Sequence, residues 1–277
     1  MRLGRIAAAL TIGFVPALAA PASLASAALP AFDHIVVVIE ENHSFTEVIG
    51  NANAPYLTSL ANNGAKMTRS FAVTHPSEPN YLALFSGSTQ GLTNDSCPHT
   101  YSSANLGRQL TKAGKTFKGY SESMPSNGYT GCSSGRYARK HNPWVNFTNV
   151  PAASNLRFSV FPTDFTTLPK VSIVVPNLCS DMHDCRVSTG DTWLKNHLGG
   201  YATWARTHNS LLLVTFDEDD HSASNRIPTL FYGAHVKTGS YSEHITHYTV
   251  LRTLESLTGL GCVASSCSVS AISDIWS

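Results

Sequence analysis

Charge is scarce in this sequence: Asp, Glu, Lys and Arg make up only 13% of its 277 residues, against about 25% in an average soluble domain. Together with a 42% hydrophobic content, that scarcity excludes a disordered chain and a long coiled coil, which both depend on charge to stay solvated. An excess of either sign is also missing. The 19 Lys+Arg stand against 18 Asp+Glu; leaving out Arg2 and Arg5, in a segment read as removed, gives 17 against 18, a net −1. No basic footprint for nucleic acid remains. After the first 27 residues no apolar run is long enough to span a bilayer, so no stable membrane insertion is expected and a lipid substrate must be met at a surface. Repeats, low-complexity stretches and a dividing linker are absent, which leaves 28–277 as a single domain, read as a monomer. Histidine is abundant, with 12 residues, and its titration near pH ~6.5 makes the surface cationic in acid.

Arg2 and Arg5 precede an apolar stretch over 6–18 and a small-residue end at Ala25, Ser26 and Ala27. That is the layout of a secretory signal cleaved near Ala27, and the stretch is too short and too broken by Pro16 and Pro21 for a membrane anchor. The mature protein is therefore expected to be exported and extracellular. All six cysteines fall after this segment, and an even count in an exported chain reads as disulfides. Short separations favour Cys179 with Cys185 and Cys262 with Cys267, leaving Cys97 with Cys132. A thiolate metal site lacks the C-x-x-C pair it would need.

Continuous β-branched and apolar runs at 34–39, 171–175 and 211–216 read as buried parallel strands. Further strands are expected at 67–73, 116–120 and 228–232. Helices are expected at 54–63, 79–85, 104–113 and 248–257, with another capped by Asp191 and carrying Trp193, Tyr201 and Trp204. Such alternation is that of a doubly wound α/β fold. The stretch 121–167 is rich in Gly, Pro, Ser and Asn and reads as a long functional loop. In open α/β sheets ligands bind beyond the carboxyl ends of the strands. Glu40, Glu41 and Asn42 follow one strand there, and Asp217 to Asp220 follow another. Carboxylates converging from two strands repel unless protons or a cation lie between them, which implies a hard metal ion.

In HPSEPNY, 75–81, Ser77 sits just ahead of Pro79 at a helix entry, where free N–H groups and the positive helix end favour phosphate or an alkoxide. A simple N-cap is the plainer role for it; the flanking acidic strand ends favour a nucleophile. Three histidines are placed to hold the phosphoryl group or protonate the leaving oxygen: His183 between Asp181 and Asp184 in PNLCSDMHDC, His247 at the start of the last helix, and His141 in KHNPW, with Lys140 beside it. Asn80 reads as a helix-surface amide, Tyr81 and Trp193 as core, and Asp219 and Asp220 as solvated or supporting acids.

The segments EENHSFTEVIG, TRSFAVTHPSEPNYLALFSGST, GDTWLKNHL, LLLVTFDEDD and HYTVLRTLESLTGL resemble the bacterial phosphoesterase family of the alkaline-phosphatase-like superfamily, whose members include secreted acid phosphatases and phospholipases C. The matches run from about residue 34 to 260, and the compact length is more similar to the short secreted acid phosphatases and phosphoinositide phosphatases. The resemblance implies an alkaline-phosphatase-like α/β/α sandwich with a mainly parallel central sheet. It places a metal-ligand pair on Glu41 and Asn42, a second on Asp217 and Glu218, and the nucleophile on Ser77. Oxygen ligands suit one Mg²⁺, Ca²⁺ or Mn²⁺ more than zinc, and Glu218 stands where two-zinc members of the superfamily carry His. The reading is thus a secreted, metal-dependent phosphomonoesterase of acid-phosphatase type, acting through a phosphoserine on small-molecule or lipid-headgroup phosphate esters at acidic to near-neutral pH. A phospholipase C-type phosphodiesterase and a non-catalytic exported metal- or anion-binding protein are the alternatives.

Overall fold

Seven residues of the sequence HIVVVIE, with β-branched side chains at five of them, have little choice but to extend, and as β1 (His34–Glu40) they run through the middle of a large sheet. In the computed structural model, which describes Met1, Gly4 and residues 29–277, there follow α1 (Phe45–Val48), α2 (Pro55–Asn63), β2 (Ala65–Phe71), α3 (Ser77–Ser86), α4 (Leu106–Lys112) and β3 (Phe117–Ser121). A small hairpin, β4 (Ser133–Ser134) and β5 (Tyr137–Ala138), precedes β6 (Asn155–Arg157), β7 (Val171–Val175), α5 (Val187–Ala205) and β8 (Ser210–Phe216). The chain closes with β9 (Arg226–Gly233), β10 (Gly239–Tyr241), β11 (Ile245–Thr246) and α6 (His247–Leu257). The expected signal segment, 1–27, lies outside the described residues apart from Met1 and Gly4.

The sheet order is β10-β2-β9-β8-β1-β7-β3-β6, with β11 also on β2. Every pairing is parallel except the two made by β9. Period-two alternation divides the core between the faces: Ile35, Val37, Ile39, Leu211 and Leu213 pack with α3, α4 and α6, while Val36, Val38, Leu212, Val214 and Phe216 pack with α2 and α5. This is the α/β/α sandwich expected. At Gly119 in β3 a Cβ would sit 2.2 Å from the ring of Trp144, so only glycine lets that indole lie flat on the strand. Among the described residues no helix is long and apolar enough to cross a membrane.

Two local expectations are corrected. Asp191 does not cap its own helix, which begins earlier, at Val187 with Arg186 as its cap. Its buried carboxylate instead accepts from the N–H groups of Tyr56 (3.1 Å) and Leu57 (2.7 Å), closing the start of α2 from another element. Ser77 is the first residue of α3 and Pro76 its cap, so the serine hydroxyl is not consumed in capping.

The three disulfides join Cys97 to Cys132, Cys179 to Cys185 and Cys262 to Cys267. The first closes 35 residues, and loop-closure entropy of that length is worth about 4 kcal/mol. Replacing Cys97 and Cys132 together by serine is expected to lower the urea midpoint accordingly. An unchanged midpoint would show that the unfolded chain gains no freedom from the cut.

Candidate active site

Parallel strands deliver their carboxyl ends to one edge, and four of them bring the chemistry there. Glu41 follows β1, Asp217 and Glu218 follow β8, Asp181 lies in the segment after β7, and Ser77 opens the helix after β2. Ser77 Oγ donates to Glu41 Oε2 at 3.2 Å and lies 3.4 Å from Glu218 Oε1. The backbone N–H of Asn42, in the left-handed region at φ 55°, donates to Asp217 Oδ1 at 3.1 Å. His141 bridges the cluster, with Nε2 3.3 Å from Glu41 Oε1 and Nδ1 3.4 Å from Asp181 Oδ2. The Tyr81 hydroxyl donates to Glu41 Oε1.

All of these groups are buried: Glu41 and Asp181 are 0% exposed, Asp217 and His141 1%, and Glu218 5%. Burial pushes the Glu41 and Asp181 carboxyls well above the usual range, with neighbouring Asp217 adding to both. It pushes Asp217 up to about 6 and Glu218 up to about 8. The same loss of solvent drives the His141 imidazole well below its ordinary value. Four buried carboxylates facing a neutral imidazole form an assembly that only protons or a cation can neutralise. Asp181 Oδ2, Asp217 Oδ2 and His141 Nε2 have no hydrogen-bond partner, and ligand atoms of Glu41, His141 and Asp181 lie within 4.8 Å of one another. Unsatisfied donor atoms of this kind, pointing together, fit a metal ion.

The Phosphoesterase family profile matches residues 51–261. The chain belongs to the Phosphoesterase family. It is a hydrolase of phosphate esters, which decides between the enzyme and the non-catalytic binding protein. This phosphoesterase is 52% identical over 277 residues to a phosphatidylinositol-3-phosphatase of Mycobacterium tuberculosis, covering 99% of this chain and 92% of that protein. It is 32% identical to a phosphate-repressible acid phosphatase of Penicillium chrysogenum and 30% identical to an acid phosphatase of Aspergillus fumigatus, in each case over 83% of this chain. It spans 60% and 56% of those two fungal proteins. The fold is similar to that of a Vibrio parahaemolyticus protein in the alkaline phosphatase superfamily, with TM-score 0.59 and 14% identity over 84% of this chain and 69% of that one. It is equally similar to a lipoteichoic acid synthase from Listeria monocytogenes, with TM-score 0.59 and 13% identity over 84% and 73% of the two chains.

Of the residues expected in the site of this phosphoesterase, Ser77, Glu41, Asp217, Glu218 and His141 come together, and Asn42 joins through its backbone. His183 stands at the rim: Nδ1 lies 2.7 Å from Asp184, and Nε2 is 3.5 Å from Lys140 Nζ, which Asp95 holds at 2.8 Å. His247 is buried beneath the acids, where Nε2 donates to the Asp217 carbonyl at 2.7 Å. Burial lowers its imidazole to about 4, so His247 holds the turn carrying Asp217 as a neutral ring and is not poised as an acid near neutral pH.

Two residues, Asn80 and Tyr81, read differently from their sequence, and Asp219 takes the supporting one of its two readings. Asn80 is fully buried, not a surface amide; its Oδ1 accepts from Val73 N (3.0 Å) and Thr74 N (3.1 Å) and its Nδ2 donates to Thr74 O (2.8 Å), locking the turn that presents Ser77. Tyr81 is core on its ring and site on its hydroxyl. Asp219 accepts three backbone N–H bonds from 221–225 and lies 3.2 Å from His75 Nε2, while His75 Nδ1 lies 3.0 Å from Glu218. Sequence reasoning missed His75, although it opens the HPSEPNY segment, and saw Asp181 only as a neighbour of His183.

Proposed function

We propose that this phosphatase is an exported, metal-dependent phosphomonoesterase in which Ser77 is the nucleophile. A single catalytic domain, 28–277, would follow a cleaved leader, 1–27, a reading supported by the signal-like composition of that leader and by three disulfides. The observation that carries the chemistry is the Ser77 hydroxyl at the start of α3, 3.2 and 3.4 Å from two carboxylates that face otherwise unpartnered donors. Glu41, Asp181, His141, Asp217 and Glu218 would hold a divalent ion, whose charge lowers the serine pKa and offsets charge on phosphoryl oxygens. The imidazole widens the fitting ions from Mg²⁺, Ca²⁺ and Mn²⁺ to softer first-row metals.

Ser77 Oγ attacks phosphorus in line; the Oγ–P bond forms as the bond to the ester oxygen breaks, and the serine proton passes to Glu41 or Glu218. His183, 28% exposed on its side chain, faces solvent at the rim and can protonate the departing alkoxide. Lys140 beside it offers fixed positive charge to the phosphoryl oxygens. Water then attacks phosphorus on the opposite side and gives its proton to His183, the P–Oγ bond breaks, and the carboxylate returns its proton to Ser77.

A direct test compares p-nitrophenyl phosphate with bis(p-nitrophenyl) phosphate, each with and without chelator. The expected result is a monoester preference of about 10²-fold or more in kcat/KM, as the loss of one charged oxygen and its contacts would give, with activity removed by chelation and restored by a divalent ion. Preference for the diester would move the enzyme to the phospholipase C type, and full activity in chelator would remove the metal.

A further inference from the structure

A second concavity lies along the α5 face of the sheet, away from Ser77, with one end at the carboxyl edge. Its volume is about 570 Å³, within the size of ligand sites, and Met124, Phe158, Phe161, Pro162 and Phe165 give it an apolar lining, with Arg157 at its side. Its near end is built from the residues that leave the carboxyl ends of β3 and β6, two and three strands from β1 in the sheet order, and its far end reaches Phe165 and, on α5, His197. At about 4.8 Å per strand, this near end lies on the order of 10 to 15 Å from Glu41, one of the two carboxylates at Ser77.

Three observations mark it as more than an accident of packing. The Phe158, Phe161 and Phe165 rings are only half-buried, although large aromatic side chains normally complete their burial. Val160, in the same turn as Phe158, is 41% exposed and is the one strongly exposed large apolar side chain within 29–277. The pocket floor is also joined to the site: Asn177 donates from its backbone to Glu122 (2.9 Å) and from its amide to Ser123 (3.0 Å), while its carbonyl accepts from Asp181 N (2.8 Å).

We propose that this pocket is a substrate subsite for an acyl chain, so that the preferred substrate is an amphiphilic phosphate monoester whose headgroup phosphate reaches Ser77 while its chain enters between Phe158, Phe161 and Phe165. The inference rests on the phosphomonoesterase reading above. It accounts for an exposed apolar turn beside an aromatic-lined pocket. A polyol headgroup and glycerol between the phosphate and the chain supply the span from Ser77 to the pocket.

The test uses the mature enzyme with soluble dibutanoyl and dioctanoyl phosphatidylinositol 3-phosphate below their micelle concentrations, with p-nitrophenyl phosphate as a reference lacking any chain. Because each buried methylene adds severalfold, the dioctanoyl lipid is expected to exceed the dibutanoyl lipid about tenfold or more in kcat/KM. The Phe158→Ala/Phe161→Ala enzyme should bring that ratio to about one. Ser159→Trp, an addition at an exposed lining position that removes no core contact, should do the same, with p-nitrophenyl phosphate hydrolysis unchanged in both. A wild-type ratio near one, or a ratio that survives both substitutions, overturns the subsite. Loss of p-nitrophenyl phosphate activity from the wild type would instead strike the phosphomonoesterase reading itself.

Discussion

Ser77→Ala is expected to reduce kcat on p-nitrophenyl phosphate by at least ~10⁴-fold, the scale on which removal of a covalent nucleophile acts. The serine is 2% exposed, and its hydroxyl bonds only to Glu41 and Glu218. Its loss therefore leaves the helix start, the Asn80 clamp and the acidic cluster in place. Thermal stability and divalent-ion affinity should stay close to wild type, which separates a chemical defect from a folding one. The phosphoenzyme trapped by acid quench of the wild type should be absent from the variant. A variant retaining a tenth of the activity would show that another group attacks phosphorus.

The second large effect concerns the acids themselves. Carboxyls whose pKa is raised by folding bind more protons in the folded than in the unfolded state, so they destabilise the fold as pH climbs from their ordinary range through the raised value. For Glu218 that upper value is about 8. The buried neutral His141 and His247 work in the opposite sense, losing stability as pH falls below about 6.5, where the unfolded imidazole takes a proton. Between pH 7 and 9 the histidines have largely finished titrating in both states and the carboxylates dominate. In chelator, Tm is expected to fall over this interval by on the order of 5 °C. A saturating divalent ion takes the place of the protons, so its stabilisation should be larger at pH 9 than at pH 7. Glu218→Gln should flatten the chelated slope. A Tm that holds level or rises from pH 7 to 9 in chelator would mean that the acids are not held against one another.

Much of this is legible in the sequence, and for definite reasons. Continuous apolar runs such as 34–39 and 211–216 can be stable only with both faces covered, which forces a sandwich and sends the residues after each run to one edge. The acids after those runs are therefore candidate site residues by position alone, and Ser77 by its helix entry. Secretory composition and six cysteines likewise set the disulfide reading. What the sequence left open concerns partners distant in the chain. Asp191 reads as the cap of the nearest helix and instead closes α2, because a carboxylate serves whichever N–H groups the tertiary packing brings within about 3 Å. Asn80, Tyr81 and His75 look like surface or core residues until the strand ends converge on them. The three histidines, with His183 favoured by its acidic neighbours in sequence, are given separate places by depth: His183 at the rim, His141 among the acids, and His247 beneath them. Local sequence encodes periodicity and chemistry, but desolvation depends on everything packed around a group, and it is desolvation that makes these ordinary acids and imidazoles into a site.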